Sequence, residues 1–148
     1  YNVNGDIQLP DYRQLYFDFL LKYRGFSLLA EYVNTSASSL EQIYVDPIAF
    51  SLLQPSSISE YLALGSGVNF SLGYIFANNF GLDLAYSKIS AEYEENLNSI
   101  ISSNNDLKFS VSKYFLENNL KLSTTYSRNT NSDDNSSSII SLVMQLRL

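Results

Sequence analysis

The sequence predicts an all-β fold, an antiparallel transmembrane β-barrel, and three observations carry that expectation. Apolar and polar residues alternate with period two along seven segments, the pattern of strands with two different faces. The connections between these segments alternate short and long, as in barrels with tight turns on one side of a membrane and long loops on the other. The apolar faces end in aromatic residues, as expected where strands cross the two membrane interfaces. Composition agrees. Hydrophobic residues make up 45% of the 148 and charged residues only 16%, against about 25% in a typical soluble domain. The chain contains no run of about 18–20 apolar residues that would read as a transmembrane helix.

The first strand is expected over Arg13 to Tyr23, with Leu15, Phe17, Phe19, Leu21 and Tyr23 opposite Tyr16, Asp18, Leu20 and Lys22. Arg24-Gly25 is a tight turn. The second strand is Phe26 to Thr35, with Phe26, Leu28, Ala30 and Tyr32 on its apolar face. A long connection, Ser36 to Glu60, follows. The third strand, Tyr61 to Phe76, sets Val68, Phe70, Leu72, Tyr74 and Phe76 against Gly67, Asn69, Ser71 and Gly73. After the turn Ala77 to Asn79 comes a fourth strand from Phe80 to about Tyr93, then a polar loop over Glu94 to Asn104. The fifth strand is Asn105 to Phe115, and Leu116 to Asn119 turn the chain. The sixth sets Leu120, Leu122, Thr124 and Tyr126 against Lys121, Ser123, Thr125 and Ser127, before a loop over Asn129 to Ser136. The seventh ends the chain, with Ile140, Leu142, Met144, Leu146 and Leu148 on one face and Ser141, Val143, Gln145 and Arg147 on the other.

Short turns belong on the periplasmic side of an outer-membrane barrel. The C-terminus is therefore expected in the periplasm and the long loops outside the cell. Seven strands beginning outside do not meet the even-number rule of such barrels. Residues 1–148 are thus expected to be the C-terminal portion of one larger barrel domain. The alternative is an eight-stranded barrel with a further strand in Tyr1 to Leu9.

Strand parity sorts the functional candidates. Asp18, Lys22, Glu31, Asn69, Asp83, Lys108, Lys121, Gln145 and Arg147 are expected to line the pore, with Arg24 beside them. The wall then carries five basic and three acidic side chains, and these charges are expected to pair across neighbouring strands, Asp18 with Lys22 or Glu31. Eleven of the 15 acids, Asp106 among them, are assigned to extracellular loops. Tyr23, Phe26, Phe76, Phe80 and Phe115 form one lipid-interface girdle and Tyr32, Tyr86 and Tyr126 the other. Arg13, Lys88 and Arg128 share the parity of the lipid-facing residues at the extracellular strand ends. There a charge costs about 0–1 kcal/mol, against about 2–4 at the midplane, and contact with lipopolysaccharide phosphates is expected. The long connection holds an apolar cluster, Leu40, Ile43, Tyr44, Val45, Ile48, Phe50, Leu52 and Leu53, broken by Pro47 and Pro55. A cluster of that size is expected to be buried, in the lumen or on a partner subunit or surface protein.

Some classes are excluded within these residues. Without Cys or His there is no thiolate metal site, disulfide, or Ser-His or Cys-His nucleophile. A net charge of −6 argues against nucleic acid. No phosphate loop or metal cluster appears. Glu92, Glu94 and Glu95 read as a solvated loop rather than a cation site. Neither enzymatic activity nor a cofactor or metal is expected.

Three stretches, KYRGFSLLAEYVNTSA (22–37), ALGSGVNFSLGYIFANNFGLDLAYSKI (63–89) and NNLKLSTTYSR…IISLVMQLRL (118–148), together resemble the C-terminal part of the phosphate-selective porin O and P family, in its Bacteroidota style. The resemblance covers essentially the whole chain. It implies an outer-membrane pore of about 16 strands, often trimeric, of which these are the last seven. The terminal strand, Ile140, Leu142, Met144, Leu146 and Leu148, resembles the signal read by the outer-membrane assembly machinery, although that signal usually ends in an aromatic residue. The family's anion-selective members line the pore with a run of Arg, which is missing here. The expected function is passive diffusion of small hydrophilic solutes, anionic ones included in view of the wall charge count. A non-conducting anchoring barrel or accessory subunit is the alternative, and a soluble ligand-binding barrel a third.

Overall fold

The computed structural model describes residues 2, 4–39, 43–46, 48, 51–115, 119–132 and 135–147, without the side chains of Val45, Asp46 and Ser51. Seven long strands form one antiparallel sheet: β1 (Asp11–Tyr23), β2 (Phe26–Ser38), β5 (Gly65–Ile75), β6 (Phe80–Ala91), β7 (Asn104–Phe115), β8 (Leu120–Asn131) and β9 (Ser136–Leu146). They lie in the order β1-β2-β5-β6-β7-β8-β9, so each strand pairs with its neighbour in sequence. A two-stranded ribbon, β3 (Tyr44–Asp46) with β4 (Ser51–Leu52), and a 3-10 helix (Pro55–Glu60) occupy the connection after β2. The sheet is open, with β1 and β9 at its edges. Among the described residues no helix is long and apolar enough to cross a membrane.

Turn chemistry explains the tight reversals. Arg24 (φ 45°) and Gly25 (φ 86°) form a two-residue hairpin with both residues left-handed, the turn whose twist matches paired strands. A Cβ on Gly25 would stand 2.5 Å from the Ile75 carbonyl oxygen. Ala77-Asn78-Asn79 closes the second hairpin. Asn79 is left-handed at φ 63° and Phe76 N–H donates to Phe80 O at 2.8 Å.

Strand limits depart from the periodic pattern mainly at the long-loop end. β1 starts at Asp11 rather than Arg13, and β2 runs to Ser38 rather than Thr35. β8 continues to Asn131, and β9 begins at Ser136. These extensions are Ser-, Thr- and Asn-rich. They pair through backbone groups and carry no apolar alternation for a periodicity reading to detect. β5 begins at Gly65, not Tyr61, because the 3-10 helix ends in a turn with Tyr61 and Leu62 N–H both bonded to Ile58 O at 2.9 Å. β6 stops at Ala91, where Glu92 N–H turns away to Leu64 O at 2.9 Å. Residues 4–10 contain no strand. A turn there is closed by Gly5 N–H on Asn2 O at 3.0 Å.

Candidate functional site

Register is continuous across all seven strands, so each face of the sheet is one surface. One face is apolar and exposed, with Val68 at 42% and Phe109 at 45%. On the other face Gly73 and Gly81 are buried and Ser112 is 1% exposed. A sheet in water does the reverse, packing its large side chains and presenting its small polar ones. Buried hydrophobic residues among those described are Ile43, Ile58, Leu64 and Ala91, all toward the long connections. Among the described residues nothing covers the apolar face.

The hairpins give the sheet a reference line. Their closing pairs are Tyr23 with Phe26, Phe76 with Phe80, and Phe115 with Leu120. In the ladder Phe26 faces Tyr74, two residues short of Phe76, and Phe80 faces Lys113, two residues short of Phe115. The sheet is therefore staggered by two residues for each pair of strands. With about 3.3 Å per residue and about 4.8 Å between strands, the tilt is about 35°. That tilt falls at the lower end of the range of about 35–45° in transmembrane barrels.

Counting from the closing residues places side chains at common heights. Tyr32, Tyr86 and Tyr126 each stand six residues beyond one, Phe26, Phe80 and Leu120 respectively. They form one level although they occupy different cross-strand rows. Between that level and the hairpins the apolar face carries Leu, Phe, Val and Tyr, interrupted by Ala30, Thr124 and Lys113. On the strands leading into the hairpins it reaches eight residues back, to Leu15, Val68 and Leu107. Eight residues at about 2.7 Å of height each give a band of about 22 Å, close to the roughly 25 Å of a membrane-spanning barrel.

Polarity begins at the next position on every strand measured this way. Eight residues beyond Phe26, Phe80 and Leu120 stand Asn34, Lys88 and Arg128; ten residues before Tyr23, Phe76 and Phe115 stand Arg13, Ser66 and Asn105. At the hairpin edge Tyr23, Phe26, Phe76, Phe80 and Phe115 line up, with Tyr74 packed edge-on to Phe76 at 4.8 Å. Lys113 is a fourth basic residue on the apolar face that the charge sorting overlooked. Its Nζ donates to Asn78 O at 2.7 Å and lies 4.2 Å from the Phe80 ring centroid. Only its even spacing from Phe109 and Phe115 could have revealed it. Arg24 is also corrected: its guanidinium covers the Tyr23 ring at 5.2 Å, at the aromatic edge, instead of joining the polar wall.

The polar face gathers Asp18, Lys22, Glu31, Asn69, Asp83, Lys108 and Lys121 as parity implies, with Gln145 on the edge strand β9. Arg147 follows β9, its N–H on Asn119 O at 2.8 Å. Asp106 belongs here too, within β7, and not in a loop. It pairs with Lys108 at 2.6 Å, the one ion pair among the described residues. The expected Asp18–Lys22 pair is not formed, because four residues along a strand span about 13 Å, and Glu31, the other expected partner, is itself a carboxylate and makes no ion pair with Asp18. Asp18 instead faces Glu31 across the ladder, and Glu31 accepts from Asn69 Nδ2 at 2.5 Å. Charge is graded along the wall. Lys22 and Lys121 stand one residue from the hairpin line, whereas Asp83, Asp18 and Glu31 stand three to five residues from it.

The long connections pack at the far end of the polar face. Thr35 Oγ1 donates to Ala63 O at 2.6 Å and Tyr12 OH to the same oxygen at 3.1 Å. Of the expected apolar cluster Ile43 is buried, whereas Ile48 is 87% and Leu52 60% exposed, so the cluster is not buried as a unit; Ile58, outside it, is buried. Leu40, Pro47 and Phe50 lie outside the described residues, as do Glu41, Asp133, Asp134 and Leu148. Asn96 joins two connections by donating from Nδ2 to Ser56 O at 2.8 Å and Ser59 Oγ at 3.0 Å. Beside it lies a cavity of about 640 Å³ lined by Ser56 and residues 91–96. Burial, then the charge of Glu92 and a hydrogen bond with it, push the Tyr93 phenol above its usual range. Glu94 accepts from Ser103 Oγ. Among the described residues no three acidic side chains converge as metal ligands.

No family model, curated protein or solved structure matches this chain.

Proposed function

We propose that this sheet is a wall segment of an outer-membrane β-barrel and that the barrel is a porin through which small hydrophilic solutes diffuse passively. The observation that carries the reading is the exposed apolar band: about 22 Å high, level at both edges and rimmed by aromatic rings. Its opposite face, small or polar at most positions although Tyr16, Leu20, Leu29, Val33 and Tyr114 also stand on it, suits water. In this reading β6, rising from Phe80, points outward from the cell, the long connections are extracellular, and the C-terminus is periplasmic.

Closure supports a larger barrel. Seven is odd, so β1 and β9 run the same way, and all-antiparallel closure requires an odd number of additional strands. The roughly 16-stranded barrel implied by the resemblance to the phosphate-selective porin family meets that condition. Ile140, Leu142, Met144 and Leu146 share the apolar face of β9, as the proposed assembly signal needs. Phosphate selectivity is not part of the proposal. Carboxylates of Asp83, Asp18 and Glu31 stand at mid-height, where an anion-selective wall would be basic.

The packing of the long connections at the polar-face end favours a second reading, a capped barrel serving as an anchor or accessory subunit. Planar-bilayer recording of the purified protein separates the two. Steady open steps are expected. A folded, membrane-inserted but electrically silent protein would leave the anchor, and extraction from cells without detergent would end both membrane readings.

A further inference from the structure

The level just beyond the apolar band is composed in one way. Its six positions, Arg13, Asn34, Ser66, Lys88, Asn105 and Arg128, all carry hydrogen-bond donors and none is acidic. None of the six side chains has a hydrogen-bond or ion-pair partner among the described residues. Asp11 is the nearest carboxylate on that face, one step higher, and it accepts from Ser39 Oγ at 2.5 Å. The acids of the polar face point the other way, so the three cations are not neutralised from within the sheet. The hairpin edge differs: Lys113 there is satisfied by Asn78 O and aromatic rings.

Resting on the membrane reading above, we infer that this ring is a binding site for phosphate groups of lipid headgroups in the leaflet beside the long connections. Chemistry and height agree. The ring begins one position above the tyrosine level on the ascending strands' side of the band, where lipid phosphates replace acyl chains. Guanidinium and ammonium groups make short, charge-assisted bonds to phosphate oxygens. Lys88 and Arg128 are two strands apart and offset by two residues in register, about 12 Å, with Asn105 on the strand between them. Their spacing suits a headgroup carrying two phosphates. The source is lipid rather than free phosphate, because the site opens only along the face that the apolar band continues.

The test uses the full chain with three kinds of vesicle: phosphatidylcholine alone, phosphatidylcholine with bis-phosphorylated lipid A, and phosphatidylcholine with dephosphorylated lipid A. Partition is read by flotation. Insertion into all three is expected. At about a fivefold gain for each of three cations near an anionic surface, discounted for screening, the bis-phosphorylated vesicles should bind about a hundredfold more tightly than the dephosphorylated ones. The combined R13Q, K88Q and R128Q variant should lose that preference and keep its insertion into phosphatidylcholine. Equal partition of the unsubstituted chain between the two lipid A vesicles overturns the inference while leaving the barrel intact. So does a preference that survives the triple substitution, or one abolished by millimolar inorganic phosphate at constant ionic strength. Failure to insert into any vesicle overturns the membrane reading itself. Should the triple variant not fold, the comparison of lipids with the unsubstituted chain decides, supported by K88R with R128K, which should keep the preference.

Discussion

Leu84 and Ser71 stand at nearly the same height on opposite faces of the sheet. Leu84 is four residues beyond Phe80, and Ser71 is five residues before Phe76. Leu84→Arg puts a guanidinium on the apolar face about 11 Å above the hairpin line, the middle of a band of about 22 Å. At that depth an arginine facing acyl chains costs about 2–4 kcal/mol. Ser71→Arg puts the same charge on the polar face between Leu29 and Ala85, where water or neighbouring polar groups solvate it, and should cost less than about 1 kcal/mol. Ser66→Arg returns to the apolar face about 13 Å higher, in the polar ring, where the cost falls to about 0–1 kcal/mol. The measurement is reversible urea unfolding from lipid vesicles, followed by circular dichroism because the chain has no Trp. A shift in free energy ordered Leu84→Arg well above Ser66→Arg and Ser71→Arg supports the assignment of faces and height together. Leu84 is 39% exposed. If that exposure is to water, Leu84→Arg is close to neutral, and a value within about 0.5 kcal/mol of the unsubstituted chain refutes the argument.

Three further outcomes follow from local geometry. Asn96→Ala removes the amide that holds Ser56 O and Ser59 Oγ; hydrogen exchange over residues 55–62 and 92–100 should quicken by about tenfold, for about 1–2 kcal/mol of lost bonding, with the strands unchanged. Gly65→Ala places a methyl group against the Ser90 carbonyl oxygen at a φ of 143° and should destabilise the sheet by at least 1–3 kcal/mol, about the cost of one strained position, read as a lower urea midpoint. Tyr93 is held neutral by burial and by Glu92. Its folded pKa is raised, so its contribution is present below the ordinary tyrosine range and lost as pH rises through the folded value. Absorbance titration should show a late phenol component that Tyr93→Phe removes, and loop protection falling in the same alkaline window.

Much of the fold was legible because two-faced strands write their faces into alternating residues. Phe17, Phe19 and Leu21 against Asp18, Leu20 and Lys22 is enough to orient β1. The turns were legible for the same local reason, since Arg24-Gly25 and Asn78-Asn79 are residue types that tolerate left-handed backbone. What escaped was carried by backbone pairing or by contact. The polar strand ends at Ser36 to Ser38 and Ser136 to Ser138 have no alternation, yet their amides complete ladders. Asp106 falls within the strand expected over Asn105 to Phe115 and shares the parity of Lys108, so its place on the wall was already legible in the sequence, and the structure adds the ion pair between them. Lys113 was hidden by one polar residue in an apolar series, and its partner, Asn78 O, is 35 positions away in the chain.

The sequence by itself determined which side chains share a face, because parity is a local property of extended backbone. It determined the pairing of β1 with β2, β5 with β6 and β7 with β8 as well, because turns of two to four residues leave those strands no other partner; the pairings across the long connections were decided only by the tertiary structure. Height was decided only by the tertiary structure. Tyr32, Tyr86 and Tyr126 are grouped by the sequence toward the long connections, but they lie in different cross-strand rows, and their height above the hairpins follows only once the stagger is known. Stagger comes from hydrogen-bond register between strands, and register is a relation between distant residues that no single strand records.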